Sequence, residues 1–503
     1  MTTGRVLDMA DLAPEYDIVI VGAGPAGMSA ALEAEGSGAR VLVVDENAGP
    51  GGQIYRSIGR NIRHEDDVLG HDYWAGRDIV DAFERSNADY AAGTTVWSLE
   101  PALTGSRRLS LGVSLSGRAT MVGVDAVILA TGAIERPFPV VGWTLPGVMS
   151  AGAAQIALKS AQIIPEGRIV LAGCGPLLYL VASQLLAAGA DIAAMLTTTD
   201  SSGRVAALRH LPDFLRSAYL HKGVKLMREV HRHVPVHSGV RSLSIEGREK
   251  AVAVRFSQGR KSRRIEADCI LLHHGVIPSI NLASAAGCAL EWSNRQRAFV
   301  PSSDAEGRSS VEGILLAGDG AGIGGAQYAA LSGRNAAVTA LSDLGRMSQH
   351  NAAHRRRQID TEQRIWRRGR AFLDALYAPA RAFRAPADPE TIVCRCEEIR
   401  ASEIREAVAL DVPGPNQLKT FLRCGMGPCQ GRLCAQTVSE IIADERRESP
   451  GDAGVFRFRS PVKPLRLSEL AALPQTPDAR RAVYGAHDTN DNPIALDEGT
   501  SHD

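Results

Sequence analysis

A glycine-rich loop directly after a short apolar segment is the feature that most restricts how this chain can fold. The segment 16–21 has the composition of a β-strand, the loop Gly22–Gly27 follows the G-x-G-x-x-G pattern, and residues 28–35 are helix-forming. Between a strand and a helix, such a loop lets the backbone approach a pyrophosphate, whose charge is stabilised by free N–H groups and the helix dipole. The sequence therefore predicts a dinucleotide-binding βα unit near the N-terminus.

Three further segments support this site. The next strand ends at Asp45, where an acid can hold a ribose hydroxyl, with Glu46 as the alternative. A strand ends at Ala130-Thr131-Gly132, and Asp319 could accept hydrogen bonds from a ribityl chain. In this order the segments resemble the FAD domain of the glutathione-reductase-like flavoproteins, although an ADP or ATP moiety could occupy the same site. The residues assigned to the cofactor are Gly22, Gly24, Pro25, Ala26, Gly27, Asp45, Glu46, Gly52, Gln53, Ala130, Thr131, Gly132, Gly318 and Asp319.

A second loop of the same type, Gly173–Leu178, departs from the pattern. Leu178 stands where close helix–strand packing favours Gly or Ala. The following strand ends in Thr197–Thr199, with neither the acid that suits NAD nor the arginine that suits NADP. We therefore predict a degenerate NAD-type domain that keeps the fold and binds little or no nicotinamide. The uncharged stretch 169–190 is interpreted as strand, turn and buried helix, not as a membrane span.

Repeated strand–turn–helix patterns divide the chain into successive regions. The predicted fold is a two-dinucleotide-domain α/β flavoprotein fold with a small C-terminal helical iron–sulfur domain. The predicted regions are the first part of the FAD or dinucleotide domain (1–145), an inserted second domain (146–280), the return of the first domain (281–345), a basic helical linker (346–390), the cysteine domain (391–445) and an extended or partly disordered tail (446–503).

Five of the eight cysteines lie between residues 394 and 434. Cys394 and Cys396 form a C-x-C pair, and Cys429 and Cys434 form a C-x4-C pair about 30 residues later. Thiolates are soft anionic ligands, and the glycines near the second pair expose N–H groups that can hydrogen-bond sulfide. We predict a [2Fe–2S] cluster bound by Cys394, Cys396, Cys429 and Cys434, with Cys424 as the spare thiol. Zinc in a tetrahedral site of four cysteines is the main alternative.

The composition of the chain gives no indication of a nucleic-acid or membrane partner. Lys plus Arg and Asp plus Glu each total 56, so a net charge of zero gives no reason to expect nucleic acid or an anionic membrane as partner. Residues 1–16 lack the layout of a secretory signal. We therefore expect a cytoplasmic protein with reduced thiols that is not an integral membrane protein.

Four segments carry a closer resemblance. They are 51–56 (GGQIYR), 130–139 (ATGAIERPFP), 146–149 (PGVM) and 425–432 (GMGPCQGR). Together they resemble the α (A) subunits of opine oxidases or dehydrogenases, a family that includes related subunits of proline and D-hydroxyproline dehydrogenases and of hydrogen cyanide synthase. The resemblance covers about residues 15–445. Its last part is similar to a BFD-like [2Fe–2S] domain, although C-x4-C replaces the C-x-x-C usual there.

The resemblance implies an electron-transferring α subunit of a hetero-oligomeric amine dehydrogenase or oxidase. In that family an opine of octopine or nopaline type, or a secondary amino acid such as proline or hydroxyproline, is oxidised to an imine at the flavin of a separate β subunit that is D-amino-acid-oxidase-like. The catalytic residues are then expected in that partner. The resemblance also allows for an FMN at the subunit interface and for a small ferredoxin-like γ subunit.

Two other functions remain open at this point. An NAD(P)H-dependent ferredoxin or disulfide-type reductase would fit the fold, but its disulfide chemistry needs a cysteine pair against the flavin. No C-x-x-C or C-x4-C pair precedes residue 394. A non-catalytic scaffold that keeps a nucleotide and is braced by zinc is the third possibility.

Overall fold

Two β-sheets, the first mixed and the second parallel, form the centre of the protein. The computed structural model describes residues 5–63, 67–102 and 108–473. The first sheet has seven strands, whose parallel part pairs Ile18 with Val41 and with Ala126. The elements before the first passage to the second domain are β1 (Glu15–Val21), α1 (Pro25–Ala34), β2 (Val41–Asp45), α2 (His71–Trp74), α3 (Arg77–Glu84), β3 (Asp89–Ala92), β4 (Thr95–Glu100), β5 (Leu109–Leu115), β6 (Arg118–Leu129) and β7 (Ala133–Glu135).

The second domain repeats this design. Its five-stranded sheet is parallel in the order β11-β10-β9-β15-β8, and a three-stranded antiparallel sheet, β12-β13-β14, lies beside it. The elements are β8 (Val148–Ser150), α4 (Ala151–Ala161), β9 (Ile169–Cys174), α5 (Pro176–Ala187), β10 (Ile192–Thr197), α6 (Ser201–Leu208), α7 (Leu211–Leu215), α8 (Ala218–His233), β11 (Val236–Ser238), β12 (Val240–Gly247), β13 (Ala251–Gln258), β14 (Lys261–Glu266) and β15 (Cys269–His274).

The uncharged stretch 169–190 is the strand β9 and the helix α5 of this domain, as the sequence predicts. Both elements are largely buried, which is typical of a parallel sheet covered on both faces. Among the described residues, no helix is long and apolar enough to cross a membrane.

The chain returns to the first domain through a strand that pairs antiparallel with β7. This crossover, β16 (Val276–Pro278), is followed by α9 (Asn281–Ala285), β17 (Leu290–Ser293), β18 (Ala298–Pro301), β19 (Ile314–Leu316) and α10 (Ala326–Asp343). Strand β19 completes the first sheet by pairing with β6. The structure and the family match thus confirm the predicted two-dinucleotide-domain fold.

A helical linker leads to a small third domain with its own core. The elements are α11 (Gln349–Arg367), α12 (Arg370–Leu376), β20 (Ile392–Cys394), β21 (Ile399–Arg400), α13 (Ala401–Ala409), α14 (Pro415–Leu422), α15 (Ala435–Arg446), α16 (Pro450–Ala453) and α17 (Leu467–Ala471). Its apolar core includes Ile404, Leu418, Ile441 and Phe456. Cys394, Cys424 and Cys434 are buried in the same core.

Residues 446–473 of the C-terminal segment pack against other parts of the protein. Val462 is buried in the core of the first domain and its N–H donates to the Trp97 carbonyl at 2.8 Å. The Ser114 hydroxyl donates to a Glu469 carboxylate oxygen at 2.5 Å. These contacts are specific pairings that composition alone does not reveal, and residues 474–503 lie outside the described residues.

Helix α10 lies so close to α1 that only glycine fits at one position. A Cβ on Gly333 would lie 1.9 Å from the Ala26 carbonyl oxygen. We predict that Gly333→Ala lowers the free energy of unfolding by about 1–3 kcal/mol, because overpacked contacts force the backbone apart. The matched control is Gly223→Ala on the exposed helix α8, where a Cβ meets nothing within 4 Å. That change should stabilise the protein by roughly 0.5–1 kcal/mol. Urea unfolding followed by circular dichroism compares the two, and equal midpoints would contradict the prediction.

Candidate cofactor sites

The first glycine loop, Gly22–Gly27, packs its backbone closely against neighbouring backbone and leaves room for a ligand to approach. Gly22 has a φ of +109°, and a Cβ there would lie 2.4 Å from the Ala130 carbonyl oxygen. A Cβ on Gly27 would lie 1.8 Å from the Gly22 carbonyl oxygen. Helix α1 begins at Pro25, so the N–H groups of its first turn point out of the end of the helix without helical acceptors. This is the geometry that holds a pyrophosphate.

The two acids predicted to hold a ribose both have partners within the chain. The Asp45 carboxylate accepts the Ala23 N–H at 2.6 Å and the Asn47 N–H at 2.7 Å. Burial raises the pKa of this carboxyl above its usual value. Glu46 is exposed and pairs with Lys463 of the C-terminal segment at 2.5 Å. Asp45 therefore braces the glycine loop, and its remaining lone pairs are those available to a hydroxyl.

The loop that contains Gly52 and Gln53 lies directly on the first glycine loop. The Gly51 N–H donates to the Ala23 carbonyl at 2.8 Å. A Cβ on Gly52 would lie 2.9 Å from the Gly24 Cα. The two loops can make this contact because both positions are glycine.

The remaining predicted residues close the same site from the other side. A Cβ on Gly318 would lie 2.8 Å from the Ala26 Cβ, and one on Gly320 would lie 3.0 Å from the Thr131 Oγ1. The Asp319 carboxylate accepts the N–H groups of Gly324 and Gly325 at 2.8 and 3.0 Å. The structure thus brings most of the predicted cofactor residues together as a glycine-rich cradle at the carboxyl end of the first sheet. Such a cradle suits the extended pyrophosphate and ribityl chain of FAD.

A buried lysine lies where this site meets the second domain. Lys159 of α4 is 3% exposed, and its Nζ donates to the Gln53 carbonyl and to Gln155 Oε1, both at 3.1 Å. Burial, together with the nearby Arg56, lowers the pKa of Lys159 to about 7. Sequence reasoning did not single out this residue, because nothing in its local pattern marks it as buried.

The lysine predicts a pH dependence of stability. Its pKa falls from 10.5 to about 7 on folding, so the unfolded chain binds more protons between these values. Stability should therefore rise as pH increases from 7 toward 10.5, by at most about 1.4 kcal/mol per pH unit from this group. Urea unfolding at pH 7 and pH 9 measures the slope. Lys159→Met should show a smaller rise over this range, and an unchanged slope would refute the assignment.

Strand β7 and its neighbours hold a set of charged groups that the sequence patterns do not mark. The Glu135 carboxylate accepts the Gly152 N–H at 3.0 Å and lies 2.6 Å from His273 Nδ1. Arg136 is buried and donates to the carbonyls of Gln296 and Arg297 at 2.9 and 2.8 Å. His274 stacks on Phe138, and burial lowers its pKa well below the usual value. Glu135 and the Arg136 Nη2 are engaged within the chain, whereas the buried Arg136 Nε and His274 Nε2 have no hydrogen-bond partner among the described residues.

The cleft of the second domain is covered by the chain's own linker. The Cys174 thiol, in the degenerate glycine loop, lies 3.5 Å from the Tyr377 carbonyl oxygen. A Cβ on Gly203 of α6 would lie 3.1 Å from the Leu376 carbonyl oxygen, and the rings of Phe214 and Phe372 stack at 4.0 Å. Segment 372–377 therefore lies beside the carboxyl ends of β9 and β10, where a nucleotide binds in open α/β sheets.

The five clustered sulfurs fall into two groups. Those of Cys394, Cys424 and Cys434 lie within 4.8 Å of one another, and all three residues are buried. Hydrogen bonds with the other two thiols lower the pKa of Cys394 to about 2. Cys396 and Cys429 are half-buried and contact each other, and burial raises the pKa of Cys429. A two-iron cluster needs four thiolates, and the predicted set takes two from each group.

Three glycines near the sulfurs lie so close to neighbouring atoms that a side chain would clash at each of them. A Cβ on Gly427 would lie 2.3 Å from the Cys396 Cβ and 3.3 Å from its sulfur. Gly425 and Gly431 have positive φ and face the Phe456 ring at 2.6 and 3.0 Å from their Cβ positions. Soft thiolates enclosed in a glycine-rich loop suit an iron–sulfur cluster. Cys424 contacts two of the predicted ligands, a proximity that its sequence position does not indicate.

The cysteine loop is joined to the FAD site through the segment that follows the crossover. The Ser279 N–H donates to the Gly132 carbonyl at 3.0 Å, and the Asn281 side-chain amide donates to the Gln430 carbonyl at 2.8 Å. The Trp143 indole N–H donates to the Ile392 carbonyl at 2.7 Å. Residues 279–281 therefore contact both the predicted flavin loop and the predicted cluster loop.

Fold and sites together define a two-dinucleotide-domain oxidoreductase with an attached iron–sulfur domain, and sequence comparisons agree. Residues 16–353 match the family model described as pyridine nucleotide-disulphide oxidoreductase, and residues 392–444 match the BFD-like [2Fe-2S] binding domain. These matches support FAD and a [2Fe–2S] cluster as the cofactors.

Comparison with individual proteins identifies the family to which the chain belongs. The chain is 56% identical to the A subunit of opine oxidase from Rhizobium meliloti, covering 98% of this chain and 94% of that protein. It is 55% identical to the A subunit of opine oxidase from Agrobacterium tumefaciens (strain Ach5), covering 98% and 99%. The chain belongs to the family of opine oxidase A subunits. The crystal structure of L-proline dehydrogenase from P. horikoshii has the same fold, with a TM-score of 0.67 at 18% identity, covering 93% of this chain and 80% of that one.

The division of the sulfurs leads to a test of the ligand set. If Cys394 and Cys434 bind one iron and Cys396 and Cys429 the other, Cys424→Ser should keep about two irons and two acid-labile sulfides per chain. Cys434→Ser, a matched change in the same buried group, should lose most of both. Metal analysis and the visible spectrum measure the outcome. If Cys424→Ser lost its iron and the serine variant of one predicted ligand kept it, Cys424 would take the place of that ligand in the set.

Proposed function

We propose that this chain is the electron-transferring α subunit of a hetero-oligomeric, flavin-dependent amine dehydrogenase or oxidase. A separate flavin-containing β subunit, D-amino-acid-oxidase-like, would oxidise the substrate to an imine. The substrate class is an opine of octopine or nopaline type or a related secondary amino acid such as proline or hydroxyproline. The names of the two relatives at 55 and 56% identity support this assignment.

The observation that carries the proposal is the contact of one short segment with both cofactor sites. Ser279 bonds the flavin loop through Gly132, and Asn281 bonds the cysteine loop through Gln430. FAD can take up two electrons together and release them singly, and a [2Fe–2S] cluster carries one electron at a time. Residues 279–281 would keep the two sites at a fixed separation, which is what a conduit for electrons requires.

The charged groups near β7 support substrate oxidation in a partner and not here. A site for an amino acid needs a cation free to bind its carboxylate and a group free to accept a proton. Arg136 already donates to two backbone carbonyls, and Glu135 is bound to the Gly152 N–H and to His273. In the part of the chain that the structure describes, these residues serve the structure of the crossover.

The covered second cleft disfavours the NAD(P)H-dependent reductase. Binding of a nicotinamide dinucleotide at the carboxyl ends of β9 and β10 would require residues 372–377 to leave their place. The loop after β10, Thr197–Thr199, is buried and carries no charge for a ribose or its phosphate. The family match of residues 392–444 to a [2Fe-2S] domain likewise disfavours the zinc-braced scaffold.

The direct test is to purify the complex with its flavoprotein partner and screen substrates. Dye reduction should occur with one of the opines, proline isomers or hydroxyproline, and glycine serves as a comparison. The isolated chain should not oxidise any of them, because the proposal assigns substrate oxidation to the flavin of the partner. Recovery of no flavoprotein partner, or turnover of an amine by this chain alone, would overturn the proposal.

A second test addresses the covered cleft. We predict that NADH and NADPH bleach less than a tenth of the flavin of the purified complex within a minute, whereas the amine substrate bleaches most of it. Stopped-flow absorbance near 450 nm measures both. Rapid and complete bleaching by either nucleotide would instead establish the reductase.

A further inference from the structure

Two partly exposed apolar side chains, Met426 and Leu433, flank the half-buried Cys429 in the cysteine loop. Met426 is 46% exposed and Leu433 is 39% exposed. The Met426 carbonyl accepts a bond from Gln430, next to Cys429, and the Leu433 N–H donates to the Cys429 sulfur. We call Cys396, Cys429, Met426 and Leu433 the sulfur face.

Cations outnumber acids around this face, where Glu397 and the exposed Glu398 directly follow Cys396. The segment 418–434 contains Lys419, Arg423 and Arg432 but no Asp or Glu. The segment 454–463 contains Arg457, Arg459 and Lys463, again without an acid.

The second segment lies along the cysteine loop with its cations outward. Phe456 and Phe458 are buried against Gly425 and Gly431, so Arg457 and Arg459 alternate to the exposed side. The Lys419 ammonium donates to the Arg457 carbonyl at 3.0 Å, which joins the two segments.

Few of these charges are neutralised within the protein. Arg423 pairs with Glu397 at 3.3 Å, and Lys463 pairs with Glu46. For Arg432, Arg457 and Arg459, the described residues provide no carboxylate partner. A small apolar centre within a basic rim is therefore left open above the sulfurs.

We propose that the sulfur face is the docking site for an acidic, soluble one-electron carrier protein that takes electrons from the cluster. The inference rests on the proposed function, because it names the partner that receives the electrons. Permanent subunit interfaces are depleted of charge at their core and bury large apolar areas. A basic rim around a few apolar side chains is typical of a brief encounter, in which complementary charge raises the association rate.

The electron transfer would be favourable when the carrier has a higher reduction potential than the cluster. One electron leaves the one-electron-reduced cluster, which returns to its oxidised state, and the ferric haem of a carrier such as an acidic c-type cytochrome becomes ferrous. No proton or bond is exchanged. His/Met ligation raises the haem potential, so cytochromes of this type are suitable acceptors.

The test uses the purified complex, reduced with a limiting amount of dithionite and mixed with cytochrome in a stopped-flow instrument. Two c-type cytochromes with His/Met ligation, one acidic and one basic, are compared at low salt and at about 0.5 M salt. The variant Arg457→Glu/Arg459→Glu reverses the outward charge of the rim. The matched control, Arg248→Glu/Arg260→Glu, makes the same change in net charge on exposed turns of the β12-β13-β14 sheet.

The rim variant should reduce the acidic cytochrome at least tenfold more slowly than the unchanged protein at low salt. The difference should fall to about twofold or less at about 0.5 M salt, because exposed charges are then screened. The control variant should stay within about twofold throughout, and the basic cytochrome should not be slowed by the rim variant.

Two results would overturn the docking site. One is an unchanged rate for the acidic cytochrome in a rim variant that retains its iron, sulfide and flavin. The other is loss of the flavoprotein partner from the rim variant, measured as a fall in native mass, which would make the face a subunit contact. Because dithionite supplies the electrons, a wrong amine substrate class leaves the result unaffected. Failure of the proposed function appears separately, in the dye-reduction screen.

Discussion

The relative position of the two cofactor sites depends on residues 279–281, which hydrogen-bond the flavin loop and the cysteine loop. Ser279 and Asn281 follow the strand by which the chain returns from the second domain, and they fix the flavin loop and the cysteine loop to one another. A protein that passes electrons contributes mainly by positioning its cofactors. The insertion of one dinucleotide domain within the other creates this crossover, so the fold itself supplies the place where the two sites meet.

The second domain has the nucleotide-binding fold, and the linker of the same chain lies against its cleft. Its parallel sheet repeats the first, but Leu178 is fully buried where a glycine would allow a closer helix, and the linker lies against the loop at Cys174. The domain also supplies Gly152 and His273, both of which bind Glu135 of β7. It therefore acts as support for the crossover.

The glycine loops could be predicted because their motif is local: the strand, the glycines and the helix follow one another directly in the sequence. The cradle of Gly22, Gly27 and Gly318 lies where the motif places it, and the two-domain fold follows from the repeated strand–turn–helix pattern. Long-range pairings could not be predicted in this way. The contact of Cys424 with Cys394, the bond of Asn281 to Gln430 and the covering of Cys174 by the linker join residues far apart in sequence.

A partly buried ion pair between Arg297 and Glu440 illustrates what holds the third domain in place. The Arg297 guanidinium donates to both carboxylate oxygens of Glu440, at 3.2 and 3.0 Å, and it lies over the Trp292 ring. The cost of removing both charges from water offsets most of their attraction, so such a pair adds little net stability. Both hydrogen bonds come from one nitrogen, Nη2, so they hold the Glu440 carboxylate opposite that nitrogen. Because Arg136 is buried beside the same pair, losing the Glu440 carboxylate would leave two guanidinium groups without a counterion. The pair therefore favours a single docked position of the cysteine domain, the position in which Asn281 reaches Gln430.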